Sequence, residues 1–170
     1  MRQLLGGLLS VLLAIGLILT TIAVTPVSAA IAAPLPLAAI FHFSGKRPPN
    51  LGVQAGQLAV CPASPNCVSS QATDDGHQIA PIAWTGTAQE GVTKLKALVA
   101  AQPGAEIITE TETYLYAEFT SSLMGFVDDL EFFVDPEQQV IQVRSASRLG
   151  ESDLGVNRQR VETIRAGLQG

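Results

Sequence analysis

Three hydrophobic patterns follow one another along this chain, and each of them predicts a different kind of element. Residues 4–24 are apolar almost without interruption, as expected for a segment directed to a membrane. Residues 87–104 carry apolar side chains every three to four positions, which predicts an amphipathic helix. Between residues 106 and 143 apolar and polar side chains alternate, which predicts β-strands. A second helical pattern at 152–170 predicts a C-terminal helix.

The first helix has a recognisable start, face and end. Thr87 stands three residues before Glu90, the spacing at which a capping box satisfies two backbone amides. Pro103 and Gly104 end the helical pattern. The apolar face consists of Val92, Leu95, Leu98 and Val99.

The alternating region predicts four strands. Residues 106–120 divide into two strands near Glu112, and two more flank a turn sequence at 135–138. If the second strand neighbours the hairpin, its polar side chains join the polar face of the hairpin, although the opposite parity also fits the sequence. The side chains concerned are Tyr114, Tyr116 and Glu118, which alternate with Leu115, Ala117 and Phe119.

The turn suggests a register for the hairpin. If Val134 pairs with Gln139, Asp129 lies opposite Arg144, and opposed unlike charges favour this pairing. Asp128 then falls on the core face opposite Ser145 and needs a polar partner, such as a serine or an arginine of the last helix. The core face consists of Leu130, Phe132, Val134, Ile141 and Val143. The other face consists of Asp129, Glu131, Gln142 and Arg144, with Phe133 and Val140 near the turn.

The C-terminal helix is expected to begin at Ser152 or Asp153, which are suitable N-cap residues. Asn157 falls on its apolar stripe. Arg158 lies in the first turn, where a cation opposes the helix dipole, so a carboxylate or an anion should hold it. The candidate ends of the helix are Gly167 and Gly170.

The chain before the domain has two parts. Residues 1–29 are expected to be a secretory signal cleaved after Ala29 or, because about 20 apolar residues can span a bilayer, an uncleaved membrane anchor. A two-helix hairpin is a third possibility, which two prolines disfavour. Residues 30–57 are expected to form an extended linker, and residues 58–170 a single domain. The protein is therefore expected in the periplasm or thylakoid lumen, or anchored facing that compartment.

Charge and composition limit the possible partners. The 170 residues include 10 Lys and Arg against 15 Asp and Glu, so an acidic chain of this kind is not expected to bind nucleic acid. The sequence contains no glycine-rich phosphate loop, metal-spaced histidine pair or nucleophile elbow, and no cofactor or metal is predicted. The remaining partners are a small anionic ligand, an envelope or lumenal protein and, if the leader is uncleaved, the membrane.

Cys61 and Cys67 are the only cysteines in the chain. In an exported protein such a pair is expected to form a disulfide that closes a small loop. A metal site completed by His77 is one alternative, although zinc sites usually draw on closer cysteine pairs and four ligands. A pair of free or redox-active thiols is the other alternative.

Three blocks of sequence carry a resemblance to a known family. They read CPASPNCVSSQ at 61–71, GFVDDLEFFVD at 125–135 and VRSASRLGESDLGVNRQR at 143–160. In this order and spacing they resemble the bacterial and plastid family known as domain of unknown function 1499, over residues 58–168. The resemblance implies no activity, but it implies that the family retains Cys61, Cys67, Asp128, Asp129, Glu131, Arg144, Ser145, Ser147, Arg148, Asp153, Asn157 and Arg158.

Together the patterns predict an α+β domain after an N-terminal hydrophobic leader. It should contain a helix, an antiparallel sheet of about four strands, and a C-terminal helix packed on the same face of the sheet. No histidine lies near the serines of the arginine-rich block, so a non-catalytic role is favoured.

Three functions fit these residues. A binding module would offer Arg144, Arg148 and Arg158 to an anionic ligand or a protein partner. A small enzyme would use paired carboxylates and an arginine in acid-base chemistry, with Ser145, Ser147 or a cysteine as the nucleophile. The sequence leaves open whether the fold brings His77 to the serines. A structural or assembly domain would use the charges only to hold the fold, with Asp128, Glu131 and Asp153 paired to the same three arginines.

Overall fold

The computed structural model describes residues 42–169. The leader, the linker residues before 42 and the candidate helix end at Gly170 lie outside this range. Within 42–169, no helix is both long enough and apolar enough to cross a membrane. The elements are, in chain order, β1 (Cys67–Ser69), β2 (Ile82–Ala83), α1 (Ala88–Ala100), β3 (Ala105–Glu110), β4 (Tyr114–Thr120), β5 (Val127–Asp135), β6 (Val140–Ser147) and α2 (Val156–Gln169).

The strands form one antiparallel sheet in the order β1-β6-β5-β4-β3, and β2 pairs with the start of β6. The four longer strands, β3 to β6, are the ones that the alternating pattern predicts. β1 and β2 have three and two residues, which is too short for an alternating pattern to reveal them. The predicted α+β fold class is therefore confirmed.

Both helices pack on one face of this sheet and enclose the main core. α1 begins with the predicted capping box: the Glu90 N–H donates to the Thr87 hydroxyl (3.2 Å), and the Thr87 N–H donates to the Glu90 carboxylate (2.8 Å). The apolar faces predicted for the helix and the hairpin are confirmed. The core includes Val92, Leu95, Val99, Leu115, Ala117, Phe119, Leu130, Phe132, Val134, Ile141, Val143, Val161 and Ile164.

The β5–β6 hairpin has a different register from the one predicted. Asp135 pairs with Val140, so the turn lies one residue further along the chain than predicted. The Asp135 carboxylate accepts hydrogen bonds from the N–H groups of Glu137 (3.0 Å) and Gln138 (3.1 Å). Gln139 takes a left-handed conformation within this turn, with φ of 54°. The predicted pairing of Val134 with Gln139 is therefore wrong.

The corrected register changes the cross-strand partners of the charged residues. Glu131 rather than Asp129 lies opposite Arg144, and Asp128 lies opposite Ser147 rather than Ser145. The two registers differ by two residues along the strand. Because side chains alternate between the faces with a period of two, every side chain stays on the face predicted for it.

Residues 43–60, called the covering segment below, lie against the second face of the sheet. The segment has no helix and no strand longer than an isolated bridge, in keeping with its lack of periodicity. The Gly52 N–H donates to the Glu131 carboxylate (2.7 Å), and Arg47 forms an ion pair with Glu118. Leu51, Val53 and Leu58 pack with Tyr114 and Tyr116. The polar face of the sheet is consequently buried.

Candidate functional site

The ten candidate polar residues are divided between the two sides of the sheet. One group lies under the covering segment and is called the polar layer; it consists of Tyr114, Tyr116, Glu118, Asp129, Glu131, Arg144 and Arg148. Another group lies on the helix side and is called the helix-side cluster; it consists of Asn66, Asp128, Ser145, Ser147, Asn157 and Arg160. Asp153 and Arg158 lie at the start of α2.

Arg148 makes the largest number of contacts in the polar layer. Its Nε and Nη2 donate to the two oxygens of Asp129 at 2.7–3.1 Å, and Nη2 also donates to the Tyr116 hydroxyl at 3.1 Å. The same Nη2 forms an ion pair with Glu118. The side chains of Arg148 and Asp129 are only 6 % and 1 % exposed. This edge of the guanidinium is therefore already used for carboxylate recognition inside the protein.

Glu131 is the centre of the other half of the polar layer and is completely buried. One of its oxygens accepts hydrogen bonds from the Tyr114 hydroxyl (2.8 Å) and the Gly52 N–H (2.7 Å), and the other accepts one from Arg144 (3.2 Å). The Arg144 Nε is the one buried side-chain polar atom in residues 42–169 that has no hydrogen-bond partner. Glu131 thus joins the covering segment, β4 and β6.

The polar layer keeps its two tyrosines neutral and Glu118 charged. Burial and the carboxylate beside each hydroxyl raise the pKa of Tyr114 and the pKa of Tyr116. Burial alone would raise the pKa of Glu118, but hydrogen bonds from Tyr116, Arg148 and Arg47 outweigh it and hold this pKa below its ordinary value. The tyrosine hydroxyls therefore serve as hydrogen-bond donors to carboxylates at neutral pH.

The depressed pKa of Glu118 predicts how stability depends on pH. The ionised Glu118 carboxylate stabilises the fold at pH values above 4.5, the ordinary pKa of a glutamate. This contribution to stability is lost as the pH falls through the lower pKa that Glu118 has in the folded state. We expect the melting temperature of the wild type to fall more steeply below about pH 4.5 than that of Glu118→Gln, which has no such proton to bind. Circular dichroism melts across this range measure both slopes.

The exposed Glu112 provides a control for that measurement. Glu112→Gln should keep the steep acid limb of the wild type. A Glu118→Gln profile parallel to that of the wild type would show that Glu118 does not contribute to the acid sensitivity.

Asn157, in the first turn of α2, is the centre of the helix-side cluster and is completely buried. Its amide oxygen accepts hydrogen bonds from the Ser145 hydroxyl (2.5 Å) and from Arg160 (2.7 Å). Its amide nitrogen donates to the Asn66 carbonyl (3.1 Å) and the Ser147 hydroxyl (3.0 Å). These bonds join α2, β6 and the loop before β1.

Arg160 is the principal member of the helix-side cluster that is absent from the sequence-based candidates. Its Nη2 donates to Asp128 (2.7 Å), and its guanidinium lies 4.3 Å from the centroid of the Phe119 ring. Asp128 was expected to need a polar partner such as an arginine of the last helix, and Arg160 is that partner. Arg160 follows Asn157 by three positions and so shares its helix face, a signal that was present in the sequence.

The start of α2 differs from the prediction. The helix begins at Val156, later than expected, because Leu154 and Gly155 take left-handed conformations with φ of 55° and 83°. The Asp153 carboxylate nevertheless accepts hydrogen bonds from the N–H groups of Gly155 (3.1 Å) and Asn157 (2.8 Å). Asp153 therefore stabilises the turn that leads into the helix.

Arg158 has different partners from those expected. It donates to the backbone carbonyls of Gln78 (2.9 Å) and Gly76 (3.4 Å) rather than to a carboxylate or an anion. Among the ion pairs considered for a structural network, that of Glu131 with Arg144 is present (3.2 Å). The expectation that Arg158 joins the same network is wrong.

Cys61 and Cys67 form a disulfide, as predicted. The bond connects the residue after the covering segment to β1, so the alternatives of a metal pair and of free thiols do not apply. In the described part of the chain, no group of three or more His, Cys, Asp or Glu side chains is arranged to hold a metal.

His77 makes its contacts near the disulfide loop. Its Nδ1 lies 2.7 Å from the Asp74 carboxylate, and its Nε2 lies 3.1 Å from the Ser64 carbonyl oxygen. The Ser145 hydroxyl is bonded instead to Asn157 and Arg160. His77 and Ser145 therefore have separate hydrogen-bond partners and do not bond each other.

A groove of about 370 Å³ lies between the covering segment and strands β3 and β4. The tyrosines that line it direct their hydroxyls to carboxylates of the polar layer, so much of the remaining lining is apolar. Arg47 is the charged lining residue; its side chain is 51 % exposed and lies over the Tyr116 ring. The lining includes Arg47, Pro48, Pro49, Leu51, Ile108, Thr109, Tyr114 and Tyr116.

These features define a small α+β domain whose charged sequence motifs are folded into two internal hydrogen-bonded groups. The family model described as protein of unknown function (DUF1499) matches residues 57–168. The chain belongs to this family, as its three sequence blocks indicate. No curated protein and no solved structure shows significant similarity to it.

Proposed function

We propose that the protein is a non-catalytic binding or assembly module of the cell envelope or thylakoid lumen, exported or tethered through residues 1–29. The observation that carries the proposal is the engagement of Arg148 with Asp129, Tyr116 and Glu118. The charged side chains of the polar layer are the ones that could bind an anion or transfer a proton. Beneath the covering segment they form hydrogen bonds and ion pairs with one another instead. Their role on this view is to hold the domain together.

The groove beside β3 is the surface that we assign to the partner. Among the described strands, β3 is paired on one side only, so its outer edge can pair with an extended polypeptide. A bulge between Ile107 and Thr109 gives Ile108 a place beside Tyr114 and Tyr116. Aromatic residues and arginine are enriched where proteins bind one another. The occupant we assign is an extended segment of an envelope or lumenal protein, with apolar side chains and an acidic residue opposite Arg47.

Site-specific photo-cross-linking in the native cells tests this assignment. A benzoylphenylalanine at Thr109, in the groove, should give a discrete protein adduct, whereas the same group at the exposed Thr93 of α1 should give none. The adduct should disappear when Pro49→Trp fills the groove. Equal adducts at both positions, or an adduct that survives Pro49→Trp, would place the partner elsewhere, and no adduct at Thr109 would remove the groove as its site.

A further inference from the structure

Four large apolar side chains are exposed together at one end of the sheet. Phe43, Leu123, Phe126 and Leu149 retain between 39 and 57 % of their accessible surface. This group is called the end patch. Scattered apolar residues are normal on a protein surface, but a contiguous group marks an interaction surface.

Contacts between three separate parts of the chain bring Phe43, Phe126 and Leu149 to the same place, and Leu123 belongs to the same β4–β5 turn as Phe126. The Phe43 ring stacks on the Phe126 ring with centroids 5.6 Å apart, and the Phe43 N–H donates to the Met124 carbonyl (3.3 Å). Gly45 lies so close to Leu149 that a β-carbon added there would be 3.1 Å from the Leu149 side chain. The patch is therefore built from the start of the covering segment, the β4–β5 turn and the residues after β6.

The position of the patch along the chain indicates what covers it. After Arg2 the next charged residue is Lys46, so the chain that leads into Phe43 is uncharged throughout and contains the apolar run at 4–24. The β4–β5 turn at 121–126 is also uncharged. The end of the domain that exposes these side chains is thus the end at which the membrane-directed part of the chain is attached.

We propose that the end patch docks on a lipid surface, inserting Leu123 and its neighbours into the interfacial region of a bilayer. This goes beyond the proposed function, because it specifies a second contact surface and an orientation for the domain. β4 separates the patch from the β3–β4 turn at Glu112 by seven residues, about 23 Å at 3.3 Å per residue. The patch would face the lipid and Glu112 would face water.

Nitroxide labels in the full chain test this orientation. Leu123→Cys and Glu112→Cys provide single labelling sites, since the two native cysteines are paired. The labelled chains are reconstituted into phosphatidylcholine vesicles, and the accessibility of each label to oxygen and to a water-soluble nickel chelate is measured. At position 123 we expect high oxygen and low nickel accessibility, and at position 112 the reverse. Adding Leu149→Glu should raise the nickel accessibility at position 123.

Each other outcome overturns the proposal. Both labels in water, whether or not the chain binds the vesicles, would show that the patch does not touch lipid. A label at position 123 protected from oxygen and nickel alike would show that protein covers the patch, either residues 29–41 of the same chain or a second copy. Because the groove is not involved in this measurement, its result is independent of the groove cross-link.

Discussion

Replacement of Arg148 by methionine is expected to lower the free energy of unfolding by about 3 to 5 kcal/mol, the cost typical of breaking a buried ion pair. The substitution removes the donors that hold Asp129 and leaves its buried carboxylate without its cation. Glu118 loses the same partner but keeps Arg47. Urea unfolding followed by circular dichroism measures the change.

A surface ion pair provides the matched control. Lys96 pairs with Glu110 at 2.7 Å, but their side chains are 50 % and 33 % exposed. Lys96→Met also removes one positive charge, but it should lower the free energy of unfolding by no more than about 1 kcal/mol, because water screens the exposed pair. If Arg148→Met cost no more than Lys96→Met, the polar layer would not hold the domain together, and the proposal that its charges are structural would fail.

The part of the polar layer that comes from the hairpin could be predicted from the sequence because it depends on alternation alone. The period of two assigned Asp129 and Arg144 to one face of the hairpin, whereas it left either parity open for Tyr116 and Glu118 until the pairing of their strand was known. The register could not be predicted in the same way, because it depends on which residues close the turn. Asp135 closes the turn by accepting hydrogen bonds from two backbone N–H groups. The opposed charges of Asp129 and Arg144, which favoured the other register, would stabilise it by less than about 1 kcal/mol.

The burial of the polar face could not be predicted, because it is caused by a segment without periodicity. Residues 43–60 gain their conformation from partners far away in the chain, such as the bond from Gly52 to Glu131 across 79 positions. A local pattern cannot report such a contact. The proline-rich and glycine-rich composition that indicated an extended linker is equally suited to an irregular segment on a surface.

The arginine-rich block divides between the two faces of the sheet. The resemblance places Arg144, Ser145, Ser147 and Arg148 together in one block of the sequence. Neighbouring residues in a strand point to opposite faces, so the arginines reach the polar layer while the serines reach the helix side. Alternation within the predicted hairpin already separates Arg144 from Ser145, and carried past Ser147 it assigns Arg148 to the face of Arg144. Arg158 lies beyond the strand, where alternation does not apply.

The helix-side cluster brings together residues from all three sequence blocks. Asn66 comes from the first of the three sequence blocks, Asp128 from the second, and Asn157 from the third. The three blocks meet through Asn157, which bonds the Asn66 carbonyl, and through Arg160, which bonds both Asp128 and Asn157. These residues from separate blocks are joined by the packing of α2 on the sheet. The meeting of the three blocks at this place is therefore a feature of the fold.

Replacement of Asn157 by leucine tests whether Asn157 joins the three sequence blocks. We expect it to lower the free energy of unfolding by about 2 to 4 kcal/mol, because more than one buried polar group loses a hydrogen-bond partner at once. Leucine is similar in size, so the loss would come from hydrogen bonds rather than from a cavity. The Asn66 carbonyl and the Ser145 hydroxyl would each lose their bond to the amide. Gln159→Leu, exposed on the same helix, should change stability by less than about 0.5 kcal/mol. Hydrogen exchange would locate the effect: if Asn157 joins the three blocks, the amides of β1 and the first turn of α2 should lose protection together, whereas a loss confined to the helix would show that Asn157 serves α2 alone.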